Sequence, residues 1–278
     1  MRGAAKPDGC MIDGGGMRLL KDVIGQHGGL GIRPPFADPG VRAMFFFRHL
    51  DVFPPADADV SPRLAGPEVA REHRGQMLGK VGLRVDSLCL VRQVHGPRVV
   101  RVDAPTESAV EADGMITDVP GLALAVLVAD CAPVLLYDPV RRVVGACHSG
   151  WRGTVEHIVA RGIERMRDEY GTDPGHLRVA IGPCIRRCCY EVDDVVAERA
   201  RNARLERALL PRFGRPDKYV FSLPHAIRLS VEACGVQPEH IYDSGVCTSC
   251  RNRHLFSHRR EGERAGRQMA VIALGMGD

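Results

Sequence analysis

Three residues that could bind a metal ion each follow a segment with the pattern of a β-strand. They are His95, Cys131 and His148, and a glycine or proline comes within two residues of each. Strand ends that face one edge of a sheet are where α/β proteins gather reactive groups. We therefore expect these three side chains to converge, although they are distant along the chain.

Two imidazoles and one thiolate are donors that Zn²⁺ prefers, and three protein ligands leave the fourth tetrahedral position open. An open position is typical of a catalytic zinc, which lowers the pKa of its bound water to about 7. His95, Cys131 and His148 are therefore candidate ligands of a metal centre, and Zn²⁺ is the ion that suits these donors. Copper is favoured less, because a multicopper site needs many histidines in His-x-His pairs and the chain has no such pair.

The same three residues allow two other interpretations. Cys131 could be a thiolate nucleophile, with His95 or His148 as its general base. A cysteine that follows an apolar strand can also be packed in the core without any chemical role. The spacing of the three residues alone does not decide among these interpretations.

Residues beside this candidate centre could bind a substrate. Arg152 lies in a turn that leads into a predicted helix. An arginine at the start of a helix favours binding of an anion such as phosphate. The alternative is an ion pair between Arg152 and a neighbouring carboxylate. Trp151, the only tryptophan, could stack on a purine or belong to the core. Asp130 could orient a ligand histidine or cap a turn.

The hydrophobic pattern predicts strands and helices around these residues. Residues 122–128 form a continuous apolar run that is typical of a buried strand, and residues 143–148 predict another strand. Residues 154–170 predict one helix with an apolar stripe, capped by Thr154 and closed by Gly171. Because strands occur both as hairpins and as pairs separated by helices, we expect an α/β fold with mixed sheets.

Composition limits the partners and the location. The net charge is +4 and 26% of the residues are charged, so neither nucleic acid nor an anionic membrane is expected as the main partner. No apolar run is long enough for a membrane span, and the start lacks an apolar signal core, which predicts a cytoplasmic protein. Residues 1–38 are rich in Gly and Pro and predict a flexible extension before a single domain over 39–278.

A series of short motifs runs from about residue 41 to the C-terminus in the order of one known family. The motifs are Gln93-Val94-His95-Gly96, Ala112-Asp113-Gly114, Asp130-Cys131-Ala132-Pro133-Val134, His148-Ser149-Gly150-Trp151-Arg152-Gly153-Thr154, Ile181-Gly182-Pro183, Tyr190-Glu191-Val192, Cys247-Thr248, Phe256-Ser257-His258-Arg259-Arg260 and Gly266-Arg267. In these motifs the chain resembles the purine nucleoside phosphorylase family of laccase-domain proteins, formerly described as multicopper polyphenol oxidases.

The resemblance implies a fold, a cofactor and an activity. It implies a multilayer α/β sandwich in which His95, Cys131 and His148 bind zinc. It also implies phosphorolysis of adenosine, inosine, guanosine and methylthioadenosine, together with deamination of adenosine, so that purine nucleosides and phosphate are the partners. Arg259 and Arg260 become candidate contacts for phosphate or substrate through their family motif.

The chain departs from the family pattern near its start. Residues 48–55 replace the Thr-Arg-Gly-Gly-Val-Ser-like loop of relatives, and His73-Arg74 replaces the usual Asn-Arg pair. These changes affect expected substrate contacts and leave the three metal positions intact. The alternatives are a Cys–His hydrolase or amidase acting on peptidoglycan precursors, a binding protein without enzymatic activity and, favoured least, a copper-dependent phenol oxidase.

Five further cysteines lie in two short segments. Cys247 and Cys250 have the spacing of a zinc knuckle, and Cys184, Cys188 and Cys189 could supply two further ligands for a second zinc. Both segments also match family motifs outside the metal centre. We therefore interpret these cysteines as packing residues or reactive thiols, with a second metal site as the less favoured alternative.

Overall fold

The computed structural model describes residues 30–36, 38–49 and 57–276. The strands in this part of the chain are β1 (Gly31–Ile32), β2 (Val41–Phe46), β3 (Leu88–Arg92), β4 (Val99–Arg101), β5 (Thr106–Glu111), β6 (Gly114–Thr117), β7 (Ala123–Val128), β8 (Ala132–Asp138), β9 (Val143–Ser149), β10 (Arg178–Ile181), β11 (Glu191–Asp193), β12 (Leu209–Arg212), β13 (Arg215–Phe221), β14 (Ile241–Asp243) and β15 (Gln268–Leu274). The helices are α1 (Pro62–Ala65), α2 (Pro67–Gly79), α3 (Trp151–Val155), α4 (Ile158–Tyr170), α5 (Asp194–Asn202), α6 (Leu223–Ala233) and α7 (His258–Glu261).

These strands form three sheets. The first has the order β1-β2-β15-β7-β3-β5, the second has the order β14-β10-β8-β9-β6-β4, and the small third sheet has the order β11-β13-β12. Parallel and antiparallel pairs occur together in both large sheets: β3 runs parallel to β7, whereas β15 runs antiparallel to it. The mixed-sheet α/β fold that the sequence predicts is therefore confirmed.

The two large sheets pack face to face between layers of helices. Successive residues of a strand point to opposite faces, and β2 shows the consequence. Phe45 belongs to the apolar core between the sheets, together with Tyr137, whereas Phe46 packs on the outer side with Met77 of α2. The outer face of the second sheet is covered by apolar residues of α4 and α6. The result is a multilayer α/β sandwich, as the resemblance implies.

Strands β7 and β9 confirm the predicted strands over 122–128 and 143–148. The single helix predicted over 154–170 is wrong, because α3 ends at Val155 and α4 begins at Ile158. His157 interrupts the helix with a left-handed φ of 57°, and its ring lies 3.0 Å from the hydroxyl of Ser230. Gly171, with a φ of 69°, does end the second helix as expected.

The end of the expected N-terminal extension contacts the domain. Strand β1 pairs antiparallel with β2, and Phe36 is buried against Tyr137 with 5.8 Å between the ring centroids. Residues 1–29 lie outside the described residues, so the extension stays a prediction there.

Candidate metal centre

The three candidate ligands meet where the two large sheets face each other. His95 follows β3 and Cys131 follows β7, and because these strands run parallel their ends lie at the same edge of the first sheet. His148 lies near the end of β9 in the second sheet. One ligand atom from each residue lies within 4.8 Å of the others. The structure therefore brings together the side chains that the sequence predicts as a centre.

Asp113 orients both histidines. Its carboxylate is fully buried and lies 2.7 Å from Nδ1 of His148. It also accepts the backbone N–H groups of Val94, His95 and Gly96 at 2.8–3.0 Å. A carboxylate on the second ring nitrogen is the usual support of a metal-binding histidine, because it selects the tautomer and the ring orientation.

The loop at His95 needs this support. His95 has a φ of 62° in the left-handed region, where a residue with a side chain costs about 1–3 kcal/mol. The hydrogen bonds from the turn to Asp113 offset this strain. They hold the His95 ring 4.8 Å from the His148 ring, centroid to centroid, with the planes 78° apart.

Gly150 lies directly against the centre. A Cβ atom at this position would lie 2.9 Å from Sγ of Cys131 and 3.1 Å from Cδ2 of His95. Any side chain would therefore push the ligands apart. The glycine lets the backbone that leads into α3 approach Cys131 and His95 closely.

Charge separation between Cys131 and His148 characterises the centre. Burial by itself would raise the pKa of the Cys131 thiol, but the charge and hydrogen bonds of His148 and His95 outweigh it and lower this pKa to about 6. Burial lowers the pKa of His148, yet the Cys131 thiolate and Asp113 raise it to about 9. Without a metal ion, the pair is therefore a thiolate beside an imidazolium near neutral pH.

Burial differs across the three ligands. His148 is 3% exposed and Cys131 is half-buried, whereas His95 is exposed. The centre therefore opens to solvent on the side of His95. Three protein donors that solvent can reach from one side leave room for a fourth ligand on a bound metal ion.

Arg152 and Trp151 lie at the start of α3. The guanidinium of Arg152 lies 4.5 Å from the centre of the Trp151 ring, and Arg199 lies 5.8 Å from the same ring. The carboxylate partner that was the alternative for Arg152 is not found among the residues that the structure describes. Trp151 packs at the edge of the apolar cluster that α5 and α6 contribute to. This position favours the interpretation that Trp151 belongs to the core.

Arg259 and Arg260 lie in the first turn of α7. Their side chains donate hydrogen bonds to the carbonyls of two different residues. Both terminal nitrogens of Arg259 donate to the carbonyl of Glu191, at 3.2 and 3.1 Å, and the guanidinium lies 5.4 Å from the centre of the Tyr190 ring. Nε of Arg260 donates to the carbonyl of Ser249 at 3.1 Å.

Asp130 does not orient a histidine in the structure. One of its carboxylate oxygens accepts the hydroxyl of Thr248, and the other accepts the backbone N–H of Arg259, each at 2.6 Å. The side chain thus caps the first turn of α7, which was the second interpretation of this residue. Its own φ of 86° turns the chain so that Cys131 points toward the histidines.

Three residues that the sequence analysis did not select interact with the ligands of the centre through hydrogen bonds or charge. They are Asp113, described above, Tyr190 and Arg267. Burial raises the pKa of Tyr190, and the negative charge of Cys131 raises it further. Burial lowers the pKa of Arg267, and the Cys131 thiolate acts in the opposite direction. All three belong to quoted family motifs, so the motifs carried a signal for them that residue chemistry alone did not.

Four other cysteines form a second cluster away from Cys131. Sγ atoms of Cys188, Cys189, Cys247 and Cys250 lie within 4.8 Å of one another. Cys184 is fully buried beside them and contributes its backbone to a bridge with Cys247.

No helix among the described residues is long and apolar enough to cross a membrane.

The fold and the His-Cys-His centre define a class of mixed α/β proteins with a candidate metal site between two sheets. Residues 65–275 match the family described as multi-copper polyphenol oxidoreductase laccase, and the chain belongs to this family. A purine nucleoside phosphorylase of Deinococcus radiodurans is 36% identical over 221 residues, which cover 80% of this chain and 83% of that protein.

Two further relatives extend this comparison. Adenosine deaminase RL5, from an unknown prokaryotic organism, is 32% identical over 203 residues, which cover 69% of this chain and 77% of that protein. The crystal structure of YlmD from Geobacillus stearothermophilus superimposes with a TM-score of 0.77 at 31% identity and covers 88% of this chain and 94% of that one.

Proposed function

We propose that this chain is a zinc-dependent purine nucleoside phosphorylase that also deaminates adenosine, acting on adenosine, inosine, guanosine and methylthioadenosine. The observation that carries the proposal is the convergence of His95, Cys131 and His148 within 4.8 Å, beside a buried carboxylate that orients the histidines. Relatives named purine nucleoside phosphorylase and adenosine deaminase support it. A cytoplasmic location is part of the same proposal, because a reducing compartment keeps the free cysteines reduced.

Zinc fits the donors better than copper does. Two imidazole nitrogens and one thiolate form a common donor set of catalytic zinc sites. A multicopper oxidase needs a further group of histidines, and neither of the two metal-compatible groups among the described residues is such a group. When bound, zinc would supply Lewis acidity and an activated water for attack on a purine ring.

The protein groups would bind and orient the substrates. Asp113 holds the His148 ring, and the exposed side of His95 admits a nucleoside. Arg152 and Arg259 both contribute positive charge that lowers the pKa of Tyr190, against the larger effect of burial. We propose that they bind phosphate or a sugar hydroxyl, and that Arg260 supports them from the turn at Ser249.

A Cys–His hydrolase or amidase, acting on peptidoglycan precursors, is the second candidate. It is favoured by the position of Cys131, whose Sγ lies within 4.8 Å of a ring nitrogen of both histidines, because their charge and hydrogen bonds lower the pKa of the thiol to about 6. A thiolate at neutral pH is the form that attacks a carbonyl carbon. Zinc and nucleophilic attack exclude each other here, since the same sulfur serves either purpose.

A product assay on purified full-length protein decides between the candidates. Adenosine with phosphate should give adenine and ribose 1-phosphate, and adenosine without phosphate should give inosine. Chelation of the metal should abolish both products, and added zinc should restore them. Activity that survives complete metal removal but is lost in Cys131→Ala would favour the thiol mechanism. Cys234→Ser, a change at the half-buried end of α6, is the matched control and should keep full activity.

A further inference from the structure

A group of four cysteines joins two turns that are distant in sequence. Cys188 and Cys189 lie in the turn after β10, and Cys247 and Cys250 lie in the turn after β14. The turns are aligned by a short parallel bridge between Cys184 and Cys247, with backbone hydrogen bonds of 3.3 and 3.1 Å. The fold therefore brings two pairs of thiols to one place.

The sulfur positions match a tetrahedral metal site. Sγ of Cys250 lies 3.5 Å from Sγ of Cys188 and 3.4 Å from Sγ of Cys189, and all four sulfurs lie within 4.8 Å of one another. Four sulfurs at about 2.3 Å from one zinc ion are about 3.8 Å apart. A disulfide would need about 2.05 Å, and a single disulfide would leave two thiols of the group unused.

The surroundings also suit a structural zinc. Cys247 is buried, and the other three cysteines are half-buried, so the group is largely shielded from water. Zinc with four thiolates carries two negative charges, and Arg187 and Arg251 flank the cysteines in the sequence, whereas Arg186 pairs with Asp243 at 2.8 Å. Four thiolates fill the tetrahedron, which is typical of a structural site and differs from the open centre at Cys131.

We propose that Cys188, Cys189, Cys247 and Cys250 bind a structural Zn²⁺ that ties the turn after β10 to the turn after β14. Both turns continue into the wall of the first centre. Tyr190 follows Cys189 directly, and Thr248 donates to Asp130, the neighbour of Cys131, at 2.6 Å. The second zinc holds these residues in place and has no contact with substrate.

Zinc content tests the proposal independently of enzymatic activity. Full-length protein purified under reducing conditions should contain about one zinc ion more per chain than Cys250→Ser. Cys131→Ser should lose a different zinc ion, so the double variant should lose both. The matched control Cys234→Ser should have the zinc content of the unchanged chain, because Cys234 lies in neither group. An unchanged zinc content in Cys250→Ser would overturn the proposal.

A second measurement uses the unchanged chain and does not depend on the folding of a variant. Alkylation followed by mass spectrometry should show Cys188, Cys189, Cys247 and Cys250 protected until a chelator is added, and all four labelled afterwards. Cys234 should be labelled equally in both conditions. The second zinc would be refuted if the four cysteines were labelled to the same extent with and without the chelator. A disulfide between Cys250 and Cys188 or Cys189 would refute it as well.

Discussion

The carboxylate of Asp113 lies 2.7 Å from Nδ1 of His148, and the same carboxylate accepts the backbone N–H of His95. One buried side chain thus links a ligand on the second sheet to a ligand on the first. This link explains how two histidines from different sheets can present their remaining nitrogens toward one thiolate.

Asp113→Asn should weaken the centre. The amide loses the charge that orients and polarises His148, and its nitrogen cannot accept the backbone N–H groups that a carboxylate oxygen accepts in the turn at His95, so we expect zinc affinity or turnover to fall about 10- to 100-fold. Zinc titration and steady-state kinetics measure the two effects. The control is Asp168→Asn, on the exposed surface of α4. Equal zinc affinity and equal turnover in both variants would contradict the orienting role of Asp113.

Gly150→Ala should remove the first zinc ion. The new Cβ would lie 2.9 Å from Sγ of Cys131 and 3.1 Å from the His95 ring, so the ligands must separate. Metal analysis of the purified variant checks this loss. Gly79→Ala is the control, because no atom lies within 4 Å of a Cβ placed at that end of α2. It should keep its zinc, whereas retention of all zinc by Gly150→Ala would show that the centre tolerates a side chain there.

His148 should titrate with a midpoint near pH 9 in the metal-free protein, well above an ordinary histidine. The raised value means that the ring is protonated at pH 7.5. It must lose that proton to bind a metal through nitrogen, so the affinity of this centre for zinc should rise with pH up to about 9.

The titration of His148 can be followed by NMR of its ring. Cys131→Ser removes the thiolate that raises the pKa of His148, so the midpoint should move to lower pH in this variant. A midpoint that is the same in both proteins would mean that no ion pair forms between the two residues.

Arg152→Ala should impair phosphorolysis more than deamination. Loss of one charge-assisted hydrogen bond to phosphate costs about 1.5–3 kcal/mol, which corresponds to an increase of about 10- to 100-fold in the KM for phosphate. Kinetics with varied phosphate measure this change, and adenosine deamination is the internal reference. Arg165→Ala, on the surface of α4, is the control and should change neither reaction. An equal loss in both reactions would instead assign Arg152 to nucleoside binding or to packing on Trp151.

Thr248→Val should lower the free energy of unfolding by about 1.5–3 kcal/mol, because it leaves a buried oxygen of Asp130 without its hydroxyl donor. Chemical denaturation measures the change. Thr172→Val is the matched control, since the buried hydroxyl of Thr172 has no hydrogen-bond partner among the described residues. The control should be neutral or stabilising. A neutral Thr248→Val would show that the bond to Asp130 contributes little.

Local patterns in the sequence were sufficient for part of this molecule. The continuous apolar run of β7 indicates a strand buried on both faces, and the apolar stripe of α4 indicates a helix buried on one side. The candidate ligands could also be found, because each stands at the end of a strand with such a signal. The family motifs added Arg259 and the rest of the expected chemistry.

Other features depend on contacts between distant parts of the chain. The polar strand β5 has no apolar alternation to reveal it, and the helix break at His157 accompanies a contact with Ser230 on α6. The role of Asp113 could not be read from its neighbours in sequence, because its partner His148 comes from another strand.

The sequence by itself determined several of the elements, the donor types and the family, since these follow from residue chemistry and local patterns of apolar residues. Only the tertiary structure decided which donors meet. It placed Asp113 behind His148, assigned Asp130 to Thr248 and joined Cys188 and Cys189 to Cys250. The physical reason is that a hydrogen bond or a metal site depends on distances of a few ångströms between residues, and those distances are set by how the two sheets pack.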